Sequence, residues 1–378
     1  MSERSGPLSG HKVIELAGIG PAPYVGQLLA DYGADVIVVD RPGGRPSGMD
    51  DRGKRSIVLN MKQPAGVQAL LALVKDTDIL IEGLRPGVTE RLGIGPDKCR
   101  DINPALVYGR MTGWGQDGPW RTMAGHDINY ISMTGVLHAI GKDGEPPVPP
   151  LNMIGDFGGG SMFLLSGILA ALVARSKSGK GDVVDAAIID GTSSLMSFVY
   201  NMHGLNAWKP AREGNLLDGA APFYRCYKTS DDKFVAVGCI EPQFFAVMME
   251  KLPIDPADYG KQNDRSLWSA QHAMLAEIFA AETRDHWERM FALTDACVTP
   301  VLDYVEAVAH PVNVARQAHI VDEPWMQPQI APRLGDQSLA NKFSIPEKGA
   351  SLHDVMSGAG YDDAMIAELI SSGGAAES

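Results

Sequence analysis

The sequence predicts an α/β protein, with a Rossmann-like parallel-sheet large domain and a smaller α+β domain. Three observations lead there. Short apolar, β-branched runs alternate with helix-like stretches through the first half of the chain. The periodicity then weakens in a passage rich in Gly, Asn and Ala before a second series of strands and helices begins. Finally, 378 residues with 45% apolar side chains can bury a large core and suggest two domains.

Taken in order, residues 13–16 read as a buried strand, 18–23 as a turn, 24–32 as a helix and 34–40 as a second strand. This βαβ start continues with a helix at 63–75 and strands at 78–82 and 105–111, which predicts a parallel sheet covered by helices. An apolar helix after Asp156 ends in Ser176-Lys177-Ser178-Gly179-Lys180-Gly181, combining C-terminal cations with a capping glycine, and strand character resumes at 183–189. The large domain is therefore expected over 1–190, a linker over 191–222, the small domain over 223–310 and a proline-rich linker over 311–329. Within the small domain a strand is expected at 234–240 and helices at 243–251 and 266–291. The polar stretch 1–10 reads as a free end without a secretory apolar segment, and 373–378 as a disordered tail. The most apolar run, 162–174, falls short of the roughly 20 residues that cross a bilayer, so it reads as a buried helix and no membrane span is expected.

A net charge of −13 speaks against nucleic-acid or anionic-membrane partners, so any phosphate ligand must meet a local cluster of cations. One such run is Arg45, Arg52, Lys54, Arg55 and Lys62, preceded by Arg41 and followed by Arg85 and Arg91. Phosphates bind at the carboxyl ends of parallel strands, and coenzyme A would suit this run; a solvated loop explains it equally well, and charge alone does not choose. Cys99, Cys226, Cys239 and Cys297 are scattered without metal or disulfide spacing, which fits a reduced cytoplasm.

Four further patterns bear on chemistry. Gly18-Ile19-Gly20-Pro21-Ala22-Pro23 followed by Asp40 partly matches a dinucleotide fingerprint, but Pro23 stands where a third glycine is needed, so a tight turn is the better reading. His126 lies in a glycine-flanked turn; a lone histidine is usually structural, and spacing does not decide. Asp156 opens an apolar helix, where Asp serves as an N-cap, while the glycines after it would let a ligand approach backbone N–H groups that stabilise an oxyanion. The remaining histidines form no metal-binding pattern, no metal is expected, and neither a G-x-S-x-G elbow nor a Walker A sequence is present.

Longer motifs are more specific. Leu28-Leu29-Ala30-Asp31-Tyr32-Gly33-Ala34-Asp35-Val36, Arg52-Gly53-Lys54-Arg55-Ser56 and Gly179-Lys180-Gly181 are marks of the family III CoA-transferase superfamily. Ala124-Gly125-His126-Asp127-Ile128-Asn129-Tyr130, the Asp156 segment, Leu217-Asp218-Gly219, Ile240-Glu241-Pro242-Gln243-Phe244 and Asp295-Ala296-Cys297-Val298-Thr299-Pro300-Val301 narrow it further. On these residues, over nearly its whole length, the chain resembles the α-methylacyl-CoA racemases of that superfamily.

The resemblance implies a family III CoA-transferase fold in an interlocked homodimer, with a C-terminal segment, 330–378, returning to the large domain. It implies interconversion of (2R)- and (2S)-2-methylacyl-CoA thioesters, in branched-chain lipid metabolism, by two-base proton transfer through an enolate. His126 and Asp156 would be the bases, Glu241 of the other subunit would orient His126, and Asn152 would support Asp156. No cofactor is expected; coenzyme A, part of the substrate, would be held by Arg41, Leu59, Asn60, Met61, Lys62, Gly83, Leu84, Arg85, Arg91, Gly125, Asp127, Ile128, Asn129 and Tyr130. The alternative within the superfamily is a CoA-transferase with Asp156 as nucleophile. Two departures, Ala220 for a usual glycine and Phe245 for a usual tyrosine, are expected to bear on the acyl pocket.

Overall fold

The structure, a computed structural model, describes residues 6–322, 325–334 and 344–376. The chain divides into two compact units. The first comprises Met1–Thr134, Pro150–Leu195 and Gln317–Ser378, and the second Gly135–Pro149 with Met196–Arg316.

The first unit is built on six parallel strands: β1 (Lys12–Leu16), β2 (Asp35–Asp40), β3 (Arg55–Leu59), β4 (Ile79–Glu82), β5 (Val107–Thr112) and β6 (Val183–Ala187). Their order is β3-β2-β1-β4-β5-β6. A short strand, Ala375–Ala376, closes the β3 edge in antiparallel register, Ala375 opposite Leu59. Val13, Ile14, Ile79, Leu80 and Ile81 are fully buried because both faces of the sheet are covered, as parallel sheets require. The chain moves from β1 outward to β3, then returns to the other side at β4, so neighbouring connections diverge between β1 and β4. That divergence opens a crevice at the carboxyl ends of the strands.

Helix α1 (Pro21–Asp31) follows β1 and α2 (Pro64–Val74) follows β3, each with proline in its first turn, where no N–H partner is needed. Two short helices follow β4, α3 (Val88–Arg91) and α4 (Pro96–Ile102), and α5 (Asp127–Met133) follows β5. A one-turn helix, α6 (Val136–Ala139), belongs to the second unit. The chain then re-enters the first unit in a π-helix, Met153–Ser161, continuous with α7 (Met162–Ser178). Together these form a helix of 26 residues, long and apolar enough to cross a membrane by length and composition. The sequence reading underestimated its length because it left out the glycine-rich turn at its start. In the fold it is the crossover covering β5 and β6: Gly109 of β5 makes room for Leu164 and Ile168, and Gly167 lies against Val184.

Several sequence expectations are corrected here. Residues 191–222 are not a linker, since α8 (Ile188–Leu195) and α9 (Ser197–Gly204) occupy much of them. Beyond α9 order comes from polar side chains, not from an apolar face, and so leaves no periodic signal: Asp218 accepts the N–H groups of Gly214, Asn215 and Ala220, and Asn215 binds the Lys209 and Ala211 carbonyls. Residues 311–329 likewise hold a helix, Pro311–Arg316, and a hairpin, His319–Asp322 with Trp325–Pro328. Gly135–Pro149 departs from the large domain because Arg212 donates to the carbonyls of His138, Lys142 and Glu145 at 2.6–3.1 Å, fastening this stretch within the second unit. At the ends, Leu8 is buried and donates to the Tyr32 carbonyl, and residues 373–376 run into the edge strand; 1–5 and 377–378 lie outside the described residues.

The second unit is α+β. Strands Tyr224–Lys228, Phe234–Gly238 and Val298–Val301 form an antiparallel sheet packed by helices Pro242–Lys251, Trp268–Ala280 and Arg284–Phe291. Phe223, Tyr227, Phe279 and Trp287 fill its core. Phe245 packs against Phe223 and Tyr259 there, and half-buried Ala220 donates its N–H to Asp218.

Candidate active site

The crevice between β1 and β4 is framed by three turns. After β1 the chain passes through Gly20, whose φ of 74° suits glycine, and a Cβ there would lie 3.6 Å from Asp156 Oδ2. After β4, buried Glu82 accepts the Leu84 N–H at 2.6 Å and Arg110 Nε at 2.9 Å, fixing the Gly83-Leu84-Arg85 turn. After β5, a cleft of about 360 Å³ is lined by Arg85, Thr112, Trp114, Arg121, Met123, His126 and Tyr130, among others.

His126 is the N-cap of α5, and its main-chain N–H donates to Asn129 Oδ1 at 3.0 Å, which leaves the ring exposed to the cleft. Tyr130 meets Trp114 edge-on at 4.8 Å and donates its hydroxyl to the Gly125 carbonyl at 2.5 Å. Gly113 and Gly125 are needed because this tyrosine ring fills the space of any Cβ.

Asp156 lies within the π-helix and is partly buried. Asn152 Nδ2 donates to its Oδ2 at 3.3 Å, and its own N–H donates to Asp127 Oδ2 at 2.7 Å. Burial pushes its carboxyl above the usual aspartate range and the Asp127 charge adds to this, while the Asn152 hydrogen bond and the nearby His126 ring oppose it. A carboxylate with raised proton affinity thus stands near the imidazole that lines the cleft, an arrangement suited to moving a proton at a carbon acid.

The pattern of CoA-transferase family III matches residues 8–351. The chain belongs to this family. It is 41% identical to α-methylacyl-CoA racemase from Mus musculus over 364 residues, 96% of each chain, and 44% identical to that from Homo sapiens over 329 residues, 86% of each. Among solved structures, a CaiB/BaiF family protein from Brucella suis shares the fold with a TM-score of 0.80 at 24% identity, covering 94% of this chain and 99% of that one.

Within this family III chain, several positions singled out from the sequence differ from expectation. Asp156 is not an N-cap; Asn152 holds that place. Gly159 and Gly160 after Asp156 admit the close approach of α8: a Cβ at Gly159 would lie 2.7 Å from Thr192 N, and one at Gly160 would lie 3.1 Å from Ile188. Asp127 is buried, and its Oδ2 accepts the Asp156 N–H. Leu59 sits in the core with its main chain paired to Ala375, and Asn60 donates to the Gly373 carbonyl. Met61 packs against the same core.

Much of the basic run is also internal. Arg52 pairs with Asp31 at 2.6 Å and Lys54 with Glu15 at 2.7 Å, both buried, while Arg45 binds Asp50 and Arg55 binds Asp35 and Asp354. Arg41, Lys62, Arg85 and Arg91 remain exposed, with no ion pair among the described residues, each close in sequence to the carboxyl end of β2, β3 or β4. Gly83, Ile128 and Asn129 are also exposed beside these turns. Glu241 is exposed in the second unit, at the start of helix Pro242–Lys251. Sequence reasoning missed Trp114, Arg121 and Met123, which stand outside every motif and line the cleft only because the chain after β5 folds back over it.

Proposed function

We propose that this protein interconverts (2R)- and (2S)-2-methylacyl-CoA thioesters by proton transfer between His126 and Asp156. The observation that carries the reading is that the His126 imidazole, which lines the cleft, lies close enough to act on the Asp156 carboxyl, itself held by burial more basic than an ordinary aspartate; the similarity to racemases over nearly the whole chain supports it. Inverting an α-carbon needs removal of a weakly acidic hydrogen from one face and delivery to the other, hence two bases. An imidazole and a carboxylate exchange roles with direction, each ending protonated when it has acted as base. The N–H groups of Asn129 and Tyr130 are taken by the His126 carbonyl, which leaves those of Asp127 and Ile128, the first two of α5, as the donors this reading assigns to the developing enolate oxygen.

Arg41, Lys62, Arg85 and Arg91 supply charge for the coenzyme phosphates in this reading. An interlocked homodimer, in which Glu241 of one subunit orients His126 of the other, belongs to the same proposal, as does a reducing, cytoplasmic setting suited to four free cysteines.

The test is incubation of one 2-methylacyl-CoA epimer in deuterated water. Wild-type protein is expected to racemise it with deuterium at the α-carbon. His126→Ala and Asp156→Ala should each abolish inversion yet exchange deuterium into opposite epimers with retention. An acyl or CoA adduct trapped on Asp156, with CoA passing to a free carboxylate and no α-deuterium, would replace this reading with transferase chemistry.

A further inference from the structure

Asp127 opens α5 directly after His126, yet only 7% of it is exposed. Its Oδ2 accepts the Asp156 N–H at 2.7 Å, and its Oδ1 is buried with no hydrogen-bond partner among the described residues. The adjacent residue makes room for it: a Cβ on Gly155 would lie 2.8 Å from Asp127 Cγ and 2.9 Å from Ile131. Stranding a carboxylate oxygen inside a protein opposes folding. What the arrangement provides is a fixed negative charge bonded to the main chain of one proposed base and joined directly in sequence to the other.

We propose that Asp127 is a positioning residue, not a coenzyme contact: its carboxylate locks the Asp156 main chain in place and sets the electrostatic field in which Asp156 gains and loses its proton. The inference rests on Asp156 acting as a base.

The groups around Asp156 support it. Helix α5 presents His126, Asp127 and Tyr130, and α1 presents Tyr24, edge-on to Phe157 at 5.0 Å. The π-helix meets α8 and β5 through Thr192, Ile188 and Met111, none ionisable. Asp185 of β6 and Asp190 of α8 are not among the charges acting on Asp156, Arg85 bears on Tyr130, and α7 carries its cations in its last turn. Asp127 and His126 are the charged groups that act on Asp156, and they act in opposite directions. Removing the Asp127 charge therefore lowers the proton affinity of Asp156, which then stays ionised to lower pH.

Three variants test this, each measured with 2-methylacyl-CoA and with Asp156→Asn alongside. Asp127→Asn keeps an accepting oxygen and the shape but loses the charge. In the direction where Asp156 takes the α-proton, its acidic limb of kcat/KM should move to lower pH with KM unchanged. Asp127→Ala should lose on the order of 10- to 100-fold in kcat, again without change in KM, as a displaced base requires. Gly155→Ala, which leaves Asp127 and both bases in the sequence, should reproduce that loss.

An unshifted acidic limb in Asp127→Asn overturns the proposal, and that variant decides alone if Asp127→Ala fails to fold. So does an Asp127→Ala variant with raised KM and wild-type kcat, which would make Asp127 a coenzyme contact after all. If Asp156→Asn still inverts the α-carbon at the wild-type rate, the base reading and this inference fall together. If Asp156→Asn no longer inverts the α-carbon while Asp127→Asn is unshifted, only this inference falls.

Discussion

Arg52 and Arg91 are the same residue type with opposite fates. Arg52 is buried against Asp31 and the Pro328 carbonyl, whereas Arg91 is exposed and without an ion pair among the described residues. Arg91→Ala should raise KM for the acyl-CoA with little change in kcat, by about 1.5–3 kcal/mol if one charge-assisted phosphate contact is lost; steady-state kinetics reads this directly, and an unchanged KM would remove Arg91 from the coenzyme site. Arg52→Ala should instead take from buried Asp31 the guanidinium that neutralises it, lowering stability by about 3–5 kcal/mol in denaturant titration. Nothing local separates the two in the sequence. The acids that claim Arg52 and Lys54 lie 21 and 39 positions away, so pairing became visible only once β1, α1 and β3 were packed together. Asp127 was hidden for a similar reason, its partner being 29 residues downstream.

At the scale of elements, the parallel strands were legible because a strand buried on both faces reads as an unbroken apolar run. The π-helix was not legible. Its turns impose no 3.6-residue stripe, and Gly158-Gly159-Gly160 look the same in a sequence whether they admit a ligand or another helix. The structure shows a helix: Gly159 and Gly191 face one another across the π-helix and α8, where a Cβ on Gly191 would lie 2.8 Å from Gly159 C. Gly191→Ala should therefore force the two helices apart, destabilising the first unit by at least about 1–3 kcal/mol and moving Asp156 with it. Thermal unfolding and racemisation should decline together. Gly179→Ala is the contrast: its φ of 70° is strained for alanine, but no atom lies within 4 Å. That variant should cost about 1 kcal/mol and retain wild-type kcat. Equal loss of activity in both would contradict the packing role assigned to Gly191.

At the scale of the whole molecule, the two units treat their carboxylates in opposite ways. In the first, burial raises Glu15, Asp31, Asp40, Glu82, Asp156 and Asp185 above their usual range, Glu15 to about 7, against one lowered group, Glu90. In the second, hydrogen bonds lower Asp231, Asp264 and Glu306, the last to about 2 with Arg284 and Lys233 as its partners. A carboxyl whose affinity for protons is higher folded than unfolded binds more protons in the native state, so its contribution falls as pH rises from the unfolded value through the folded one. For Glu15 that window runs from 4.5 to about 7. A lowered carboxyl does the reverse, contributing stability above its unfolded value and losing it as pH falls toward its folded one. Acidification from pH 7.5 to 5.5 should thus strengthen the first unit but not the second, whose lowered carboxyls lose stability only below the ordinary carboxylate range and whose His272, held by burial below its ordinary value, opposes stability as pH falls. Hydrogen exchange, corrected for intrinsic rates, should show protection rising in β1–β5 but not in Tyr224–Lys228, Phe234–Gly238 and Val298–Val301, where half-buried His272 lies against Tyr227. Glu15→Gln should flatten the response of the first unit while lowering its stability throughout, because Lys54 then stays buried without its partner. Protection falling in β1–β5 on acidification would refute the assignment of these buried carboxyls as the dominant titrating groups.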